Sequence, residues 1–158
     1  IGDLSEDLDD DGDGFSDMDE TDCMTGSQDA NSIPLDLDGD GICDALDDDK
    51  DGDGIDNVFE TDTGIYNSTT DTGTDPANPD SDGDGVCDGP ATPNASICTA
   101  GPDAFPNDPS AWEDSDGDGQ PDEIVEGIET NLTLDTDDDN DGWSDEEEAA
   151  CCTTRWRC

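Results

Sequence analysis

The residues of this chain most suited to chemistry are aspartates that recur at a fixed spacing. The template Asp-x-Asp-x-Asp-Gly occurs six times, and in four of the copies an acidic residue follows at position 12. Positions are numbered here from the first aspartate of each copy. The copies, loops one to six, cover residues 9–20, 36–47, 49–60, 80–91, 114–125 and 137–148.

These residue types at this spacing are the ligands that calcium prefers. Calcium takes six to eight oxygens at about 2.3–2.6 Å, and the short aspartates at positions 1, 3 and 5 can converge on one ion. Glycine at position 6 allows a sharp turn with positive φ. Position 7 contributes a carbonyl, position 9 often acts through water, and an acid at position 12 can chelate with both oxygens. Magnesium fits less well, because it keeps its waters and rarely accepts a cage made only of protein.

The sequence therefore predicts roughly six or more bound calcium ions, one for each loop at least. The predicted ligands are Asp9, Asp11, Asp13, Phe15, Asp17, Glu20, Asp36, Asp38, Asp40, Ile42, Asp44, Asp47, Asp49, Asp51, Asp53, Ile55, Asn57, Glu60, Asp80, Asp82, Asp84, Val86, Asp88, Asp114, Asp116, Asp118, Gln120, Asp122, Asp137, Asp139, Asp141, Trp143, Asp145 and Glu148.

Loops four and five depart from the template at position 12, which is Ala91 in one and Val125 in the other. Glu126 could substitute in loop five only if the start of a helix shifts. We expect these two loops to bind more weakly than loops one, three and six, or to borrow oxygen from neighbouring segments. On this basis Asp53→Ala costs more stability than Asp84→Ala.

The composition excludes most other functions. The chain has 49 acidic residues, of which 39 are Asp, against three basic ones and no histidine, and only 28% of its residues are hydrophobic. Such a chain cannot bury enough apolar surface to fold alone, so cations and covalent links must hold it together. Nucleic acid and anionic membranes are excluded as partners because phosphate contacts need Lys and Arg. Without His, and with a metal-binding explanation for each acid, we expect no enzymatic activity.

Two other calcium-binding folds do not fit. Helix–loop–helix hands need an entering helix, but Pro34 and Pro79 stand just before loops two and four, and only Asp48 separates loops two and three. The glycine-rich nonapeptide of parallel β-rolls does not occur in the sequence.

The chain resembles the thrombospondin type 3 repeats, especially those of bacterial secreted and surface proteins. The resemblance covers roughly two thirds of the chain, and it is carried by DLDGDGICDALDDDKDGDGIDNVFE (36–60), TDPANPDSDGDGVCDG (74–89), DAFPNDPSAWEDSDGDGQPDE (103–123) and DTDDDNDGWSDEEE (135–148). It implies an irregular, elongated, calcium-stabilised array over residues 1–158, with little secondary structure and some shared ligands. The candidates for sharing are Asp47, Asp48, Asp103, Asp108 and Asp135. Dockerin modules, which use a single pair of loops, are a poorer match.

Around the loops we expect short helices near 16–21, 56–61, 121–130 and 144–150, with turns and extended chain elsewhere. The inserts 61–79 and 89–102 are rich in Thr, Gly, Pro and Ala and predict surface loops, and the tail 151–158 departs from the repeat. The apolar side chains predict small local clusters instead of one core; these are Phe15, Ile42, Ile55, Val86 and Trp143, with Phe59 and Phe105 as further members.

The seven cysteines indicate disulfides in an oxidising compartment. Cys87 and Cys98 flank an insert and would staple it, and Cys23 lies one loop before Cys43. The three cysteines of the tail leave two alternatives: Cys151 or Cys152 pairs with Cys158, or the open end continues into a second copy.

The leading function is therefore a secreted or surface calcium-binding structural protein, acting as rod, stalk or extracellular fibre subunit. The alternative is an adhesion or glycan- or mineral-binding module whose calcium sites serve ligand binding. Expected partners are calcium, a second copy in a head-to-tail filament, and covalent glycans at the sequons of Asn67, Asn94 and Asn131. No membrane insertion is expected. Because the sequence begins at Ile1, we expect a mature protein or a piece of a longer one.

Overall fold

The protein has little regular secondary structure. A computed structural model describes residues 8–93, 97–99 and 101–153, with side chains up to residue 150. These ranges contain helix α1 (Asp17–Asp22) and helix α2 (Asp145–Thr153) and no strand. Two isolated β-bridges join Ser68 to Asp71 and Val86 to Thr99. The coarse prediction of an irregular chain with short helices and disulfides is confirmed.

Both helices begin inside a loop, after a serine at position 8. The Ser16 hydroxyl accepts a hydrogen bond from the Asp19 backbone N–H at 3.2 Å, which caps α1. Acidic residues fill the first turn of each helix, where the helix dipole favours negative charge. Neither helix of the described residues has the length and hydropathy needed to cross a membrane.

The prediction of helices near 56–61 and 121–130 is wrong, because these residues form turns and irregular chain. In each case a residue distant in the chain donates a hydrogen bond to a backbone carbonyl that would accept one within a helix. The Phe59 carbonyl accepts the N–H of Thr72, and the Pro121 carbonyl accepts that of Asp135. Tertiary hydrogen bonds have therefore replaced the local ones.

All six loops share one backbone closure. The N–H of position 9 donates to the carbonyl of the residue before position 1, at 2.7–3.1 Å. The donors are Asp17, Asp44, Asn57, Asp88, Asp122 and Asp145, and the acceptors are Leu8, Leu35, Asp48, Pro79, Glu113 and Thr136. Glycine at position 6 has φ between 91° and 109° in every loop. Its predicted role in the turn is confirmed, because other residues rarely adopt this conformation.

The described residues form no large apolar core beneath these loops. Among the described residues the buried hydrophobic side chains are Cys43, Cys87, Cys98 and Ala111. Two of the predicted cluster residues, Ile42 and Trp143, are 46% and 58% exposed, so that part of the prediction is wrong. Ile55 does contribute to a small cluster, with Tyr66, Pro102 and Pro106 around a shallow cavity.

Residues 61–70 of the first insert are exposed, whereas residues 72–74 are buried. The N–H of Asp62 donates to the Thr74 carbonyl at 2.8 Å, and Thr74 is completely buried. The Thr74 hydroxyl donates to a carboxylate oxygen of Glu60 at 3.1 Å. The insert thus orients the acid that ends loop three.

Candidate metal centres

In each loop, backbone N–H groups donate hydrogen bonds to oxygens of the carboxylates at positions 1 and 5. One oxygen of the position 1 aspartate accepts the N–H of the position 6 glycine at 3.0–3.3 Å in all six loops. In loops one to five the other oxygen accepts the N–H of position 4. The position 5 aspartate accepts the N–H of position 7 through Oδ1, at 2.7–2.9 Å, again in all six. The backbone therefore fixes the orientation of these side chains within the folded loop.

The carboxylate oxygens that accept no hydrogen bond are the groups that could hold a metal. Many are buried and have no hydrogen-bond partner within the described part of the chain. They are Asp11 Oδ2, Asp13 Oδ2, Glu20 Oε1 and Oε2, Asp51 Oδ1 and Oδ2, Asp53 Oδ2, Glu60 Oε2, Asp82 Oδ2, Asp84 Oδ2, Asp103 Oδ2, Asp116 Oδ2, Asp137 Oδ1 and Asp138 Oδ1. Most belong to positions 3, 5 and 12, as the calcium template predicts.

Several of these carboxylates come close enough to share an ion. One oxygen from each member lies within 4.8 Å of the others in every group. The groups include Asp9, Asp11 and Asp13; Asp36, Asp38 and Asp40; Asp49, Asp51 and Asp53; Asp80, Asp82 and Asp84; and Asp53, Glu60 and Asp88.

The acid at position 12 is placed by one recurring hydrogen bond. Its N–H donates to the carbonyl of position 8 in loops one, two and six, from Glu20 at 2.9 Å, Asp47 at 3.0 Å and Glu148 at 2.9 Å. This bond folds the chain back so that the acid faces positions 1, 3 and 5. Glu20 is completely buried as a result.

Loops four and five complete the same arrangement with acids from beyond the predicted loop. The N–H of Asp103 donates to the carbonyl of Cys87, position 8 of loop four, at 3.0 Å. The N–H of Asp135 donates to the carbonyl of Pro121, position 8 of loop five, at 2.9 Å. Asp103 and Asp135 therefore occupy position 12, and each of these loops contains an insert between positions 9 and 12.

The predicted ends of loops four and five at Ala91 and Val125 are thus wrong, and Glu126, which is exposed, does not substitute. The expectation that these loops borrow oxygen from neighbouring segments stays a prediction, and Asp103 and Asp135 are the acids that could supply it. Asp103 and Asp135 are only 6% and 8% exposed. The sequence resemblance had already named both residues as candidates for shared ligands.

The side chain of position 9 has a role that the template did not predict. It accepts the N–H of position 2 in all six loops, at 2.8–3.3 Å, and so ties the two ends of the loop together. Asn57 makes this bond in loop three as the aspartates do elsewhere. The role of the position 7 carbonyls of Phe15, Ile42, Ile55, Val86, Gln120 and Trp143 stays a prediction.

Burial raises the pKa of the acids in loops three and four, because desolvation disfavours their charged forms. The pKa of Asp51 is raised to about 7 and that of Glu60 to about 8. The pKa of Asp82 is raised to about 7 and that of Asp103 to about 8. Neighbouring carboxylates raise these pKa values further, whereas a bound divalent cation would stabilise the charged forms.

Two of the other candidates for ligand sharing, Asp108 and Asp47, accept hydrogen bonds from within the protein. Asp108 accepts from Ser110 through Oδ1 and from Thr130 through Oδ2, which lowers its pKa despite some burial. Asp108 therefore acts as a structural acceptor. Asp47 accepts the N–H of Asp49 through Oδ1 at 2.8 Å, which connects loop two to loop three.

The structure contains both disulfides expected from the sequence. Cys23 pairs with Cys43 and Cys87 pairs with Cys98, with Cα–Cα distances of 6.4 and 5.1 Å. The side chains of Cys151, Cys152 and Cys158 lie outside the described set. Of the three sequon asparagines, Asn67 and Asn131 are exposed and Asn94 lies outside the described residues.

No family model, no curated protein and no solved structure matches this chain. The resemblance to thrombospondin type 3 repeats therefore stays a prediction from the sequence motifs.

Proposed function

We propose that the chain is a calcium-binding structural protein whose loops fold around the ions. One observation supports this most strongly: buried, partnerless carboxylate oxygens take the place of an apolar core. An isolated ionised carboxylate is costly to bury unless it is paired or coordinates a metal. Lys50 is the one basic residue within the described ranges, since Arg155 and Arg157 lie outside them. Cations from solution must therefore supply the missing charge.

The chemistry of the donors favours calcium over other metals. Every donor is a hard oxygen from a carboxylate or carbonyl, which suits calcium and magnesium and not zinc. With Asp103 and Asp135 included, each loop offers four carboxylates at positions 1, 3, 5 and 12. Such a cage with few waters suits the flexible, high coordination number of calcium better than the strict octahedron of magnesium.

The location and assembly follow as parts of the same proposal. Two disulfides favour an oxidising environment outside the cytosol. Calcium there would be structural, and a chain of linked loops suits a rod, stalk or fibre subunit of the thrombospondin type 3 kind. Head-to-tail growth depends on residues 151–158, which remain the basis of a prediction.

Direct calcium binding tests the proposal. Metal-free protein is titrated by isothermal calorimetry and equilibrium dialysis, with magnesium in a parallel series and an Asp62→Asn variant as a surface control. We expect a sharp plateau at roughly six or more calcium ions, unchanged in the control and not reproduced by magnesium. Uptake that rises without a plateau, equally for both metals, would indicate a diffuse polyanion and contradict the proposal.

A further inference from the structure

Loops three and four meet at a group of acids that neither loop could form alone. Asp53 and Glu60 are positions 5 and 12 of loop three, and Asp88 is position 9 of loop four. One carboxylate oxygen from each lies within 4.8 Å of the others. Their side chains are 0%, 5% and 3% exposed, so the group is enclosed by protein.

The chain just after Asp88 is what brings the two loops together. The Ala91 N–H donates to the Asp53 carbonyl. A Cβ atom on Gly89 would lie 2.4 Å from the Asp53 carbonyl oxygen, which is closer than real contacts allow. Glycine is therefore required at this close approach, and the position of Asp88 is fixed by packing.

The oxygens in this group exceed what one loop ion can use. Asp53 Oδ2 and Glu60 Oε2 are buried and have no hydrogen-bond partner in the described residues, and both oxygens of Asp51 are in the same condition. The carboxylates around this point are Asp49, Asp51, Asp53, Glu60 and Asp88. Five negative charges against one dication leave three uncompensated in a buried site, whereas two dications leave one.

We propose that a second calcium ion lies between loops three and four, bound by Asp53, Glu60 and Asp88 beside the ion of loop three. This site rests on the proposed function, because it assumes that the loops bind calcium. Asp53 and Glu60 serve both ions, while Asp88 closes loop four and binds the second ion. Loops three and four consequently bind calcium as one cooperative unit.

Substitution of Asp88 by asparagine separates the two roles of this residue. Asn57 makes the loop-closing bond at the same position of loop three, so Asp88→Asn keeps closure and removes one charge. The control is Asp62→Asn, because Asp62 is exposed and is not among the predicted calcium ligands. Native mass spectrometry of the calcium-loaded full chain counts the ions in each protein.

The expected result is that Asp88→Asn holds one calcium ion fewer than the wild type and Asp62→Asn holds the same number. An undiminished count in Asp88→Asn, with saturable binding in all three proteins, overturns the inter-loop site and leaves the proposed function intact. A wild type without stoichiometric calcium overturns both.

A measurement on the wild type covers the case in which Asp88→Asn fails to fold. Anomalous diffraction from calcium-loaded crystals should show two peaks at loop three and one at loop two. A single peak at loop three overturns the proposal.

Discussion

Loops two and four differ in the burial of their carboxylates in the opposite sense to the completeness of their sequence templates. Loop two carries a complete template ending in Asp47, but Asp40 is exposed and no loop-two oxygen is among the buried partnerless ones of the described chain. Loop four lacks an acid at its twelfth residue, yet three of its carboxylates, Asp82, Asp84 and Asp103, each contribute such an oxygen.

The difference lies in what covers each loop. The insert of loop four, held by the Cys87–Cys98 disulfide and the Val86–Thr99 bridge, returns over the site and brings Asp103 with it. Loop two is contiguous, and it contains no insert that could bring a described segment over its site. The longer chain between positions 9 and 12 thus gives loop four the more enclosed site. The expectation that loop four binds calcium weakly was based on a missing acid at position 12, and Asp103 occupies that position.

The largest expected difference in calcium affinity between loops two and four follows from replacing their position 12 acids. Asp103→Asn should weaken calcium binding at loop four by about tenfold or more, roughly 1.4 kcal/mol, because a buried ion cannot replace the lost oxygen with bulk water. Asp47→Asn should have a smaller effect, since loop two is open to solvent. Calorimetric titration of both variants measures this order, and a larger effect in Asp47→Asn would show that contiguity matters more than burial.

The two disulfides test whether the insert of loop four acts through its ligand. By chain entropy alone each contributes about 3 kcal/mol, and slightly more for Cys23–Cys43, which spans 20 residues against 11. We expect the opposite order for calcium affinity: replacing Cys87 and Cys98 by serine releases Asp103 and weakens loop four, whereas the same change at Cys23 and Cys43 affects stability alone. Equal calcium affinity in the two double variants would contradict the role of the insert.

The pH dependence separates the enclosed loops from the open ones. In metal-free protein the raised pKa values, about 8 for Glu60 and Asp103, mean that the folded state keeps protons that the unfolded state releases. Stability of these loops is then fully present below the unfolded pKa of about 4 and is lost as pH rises to about 8.

Urea unfolding of the chelated protein, followed by tryptophan fluorescence, should show this decline from pH 4 upward, until the metal-free chain is unfolded without urea near pH 8. The trend in calcium is opposite, because protons and calcium compete. A metal-free chain that becomes more stable over this range would be inconsistent with buried neutral acids.

The smallest expected difference between the loops is at the position 6 glycines. Gly41 and Gly85 have φ of 95° and 98°, and a Cβ atom at either would meet nothing within 4 Å. Alanine at either position should cost about 1–2 kcal/mol through backbone strain alone. Similar losses of thermal stability in Gly41→Ala and Gly85→Ala, measured in calcium, would show that the loops differ in cover and not in backbone geometry.

The locally encoded features of this fold could be predicted from the sequence. The loop register, the glycine turns, the start of α1 at Asp17 and the pairing of Cys87 with Cys98 all depend on residues close in the chain. The placement of Asp103 and Asp135 could not, because it depends on how each insert returns to the carbonyl of position 8. The same long-range bonds removed the predicted helices near 56–61 and 121–130.

The central claim is that calcium holds this chain in its fold, and small-angle scattering with and without the ion tests it most directly. An unfolded chain of this length has a radius of gyration of about 40 Å, and a net charge of −46 expands it further. At pH 8 in millimolar calcium the account predicts a radius well below that value, and in chelator at the same pH an increase to it or beyond, reversed when calcium but not magnesium is restored. A radius that does not change on chelation would contradict the account.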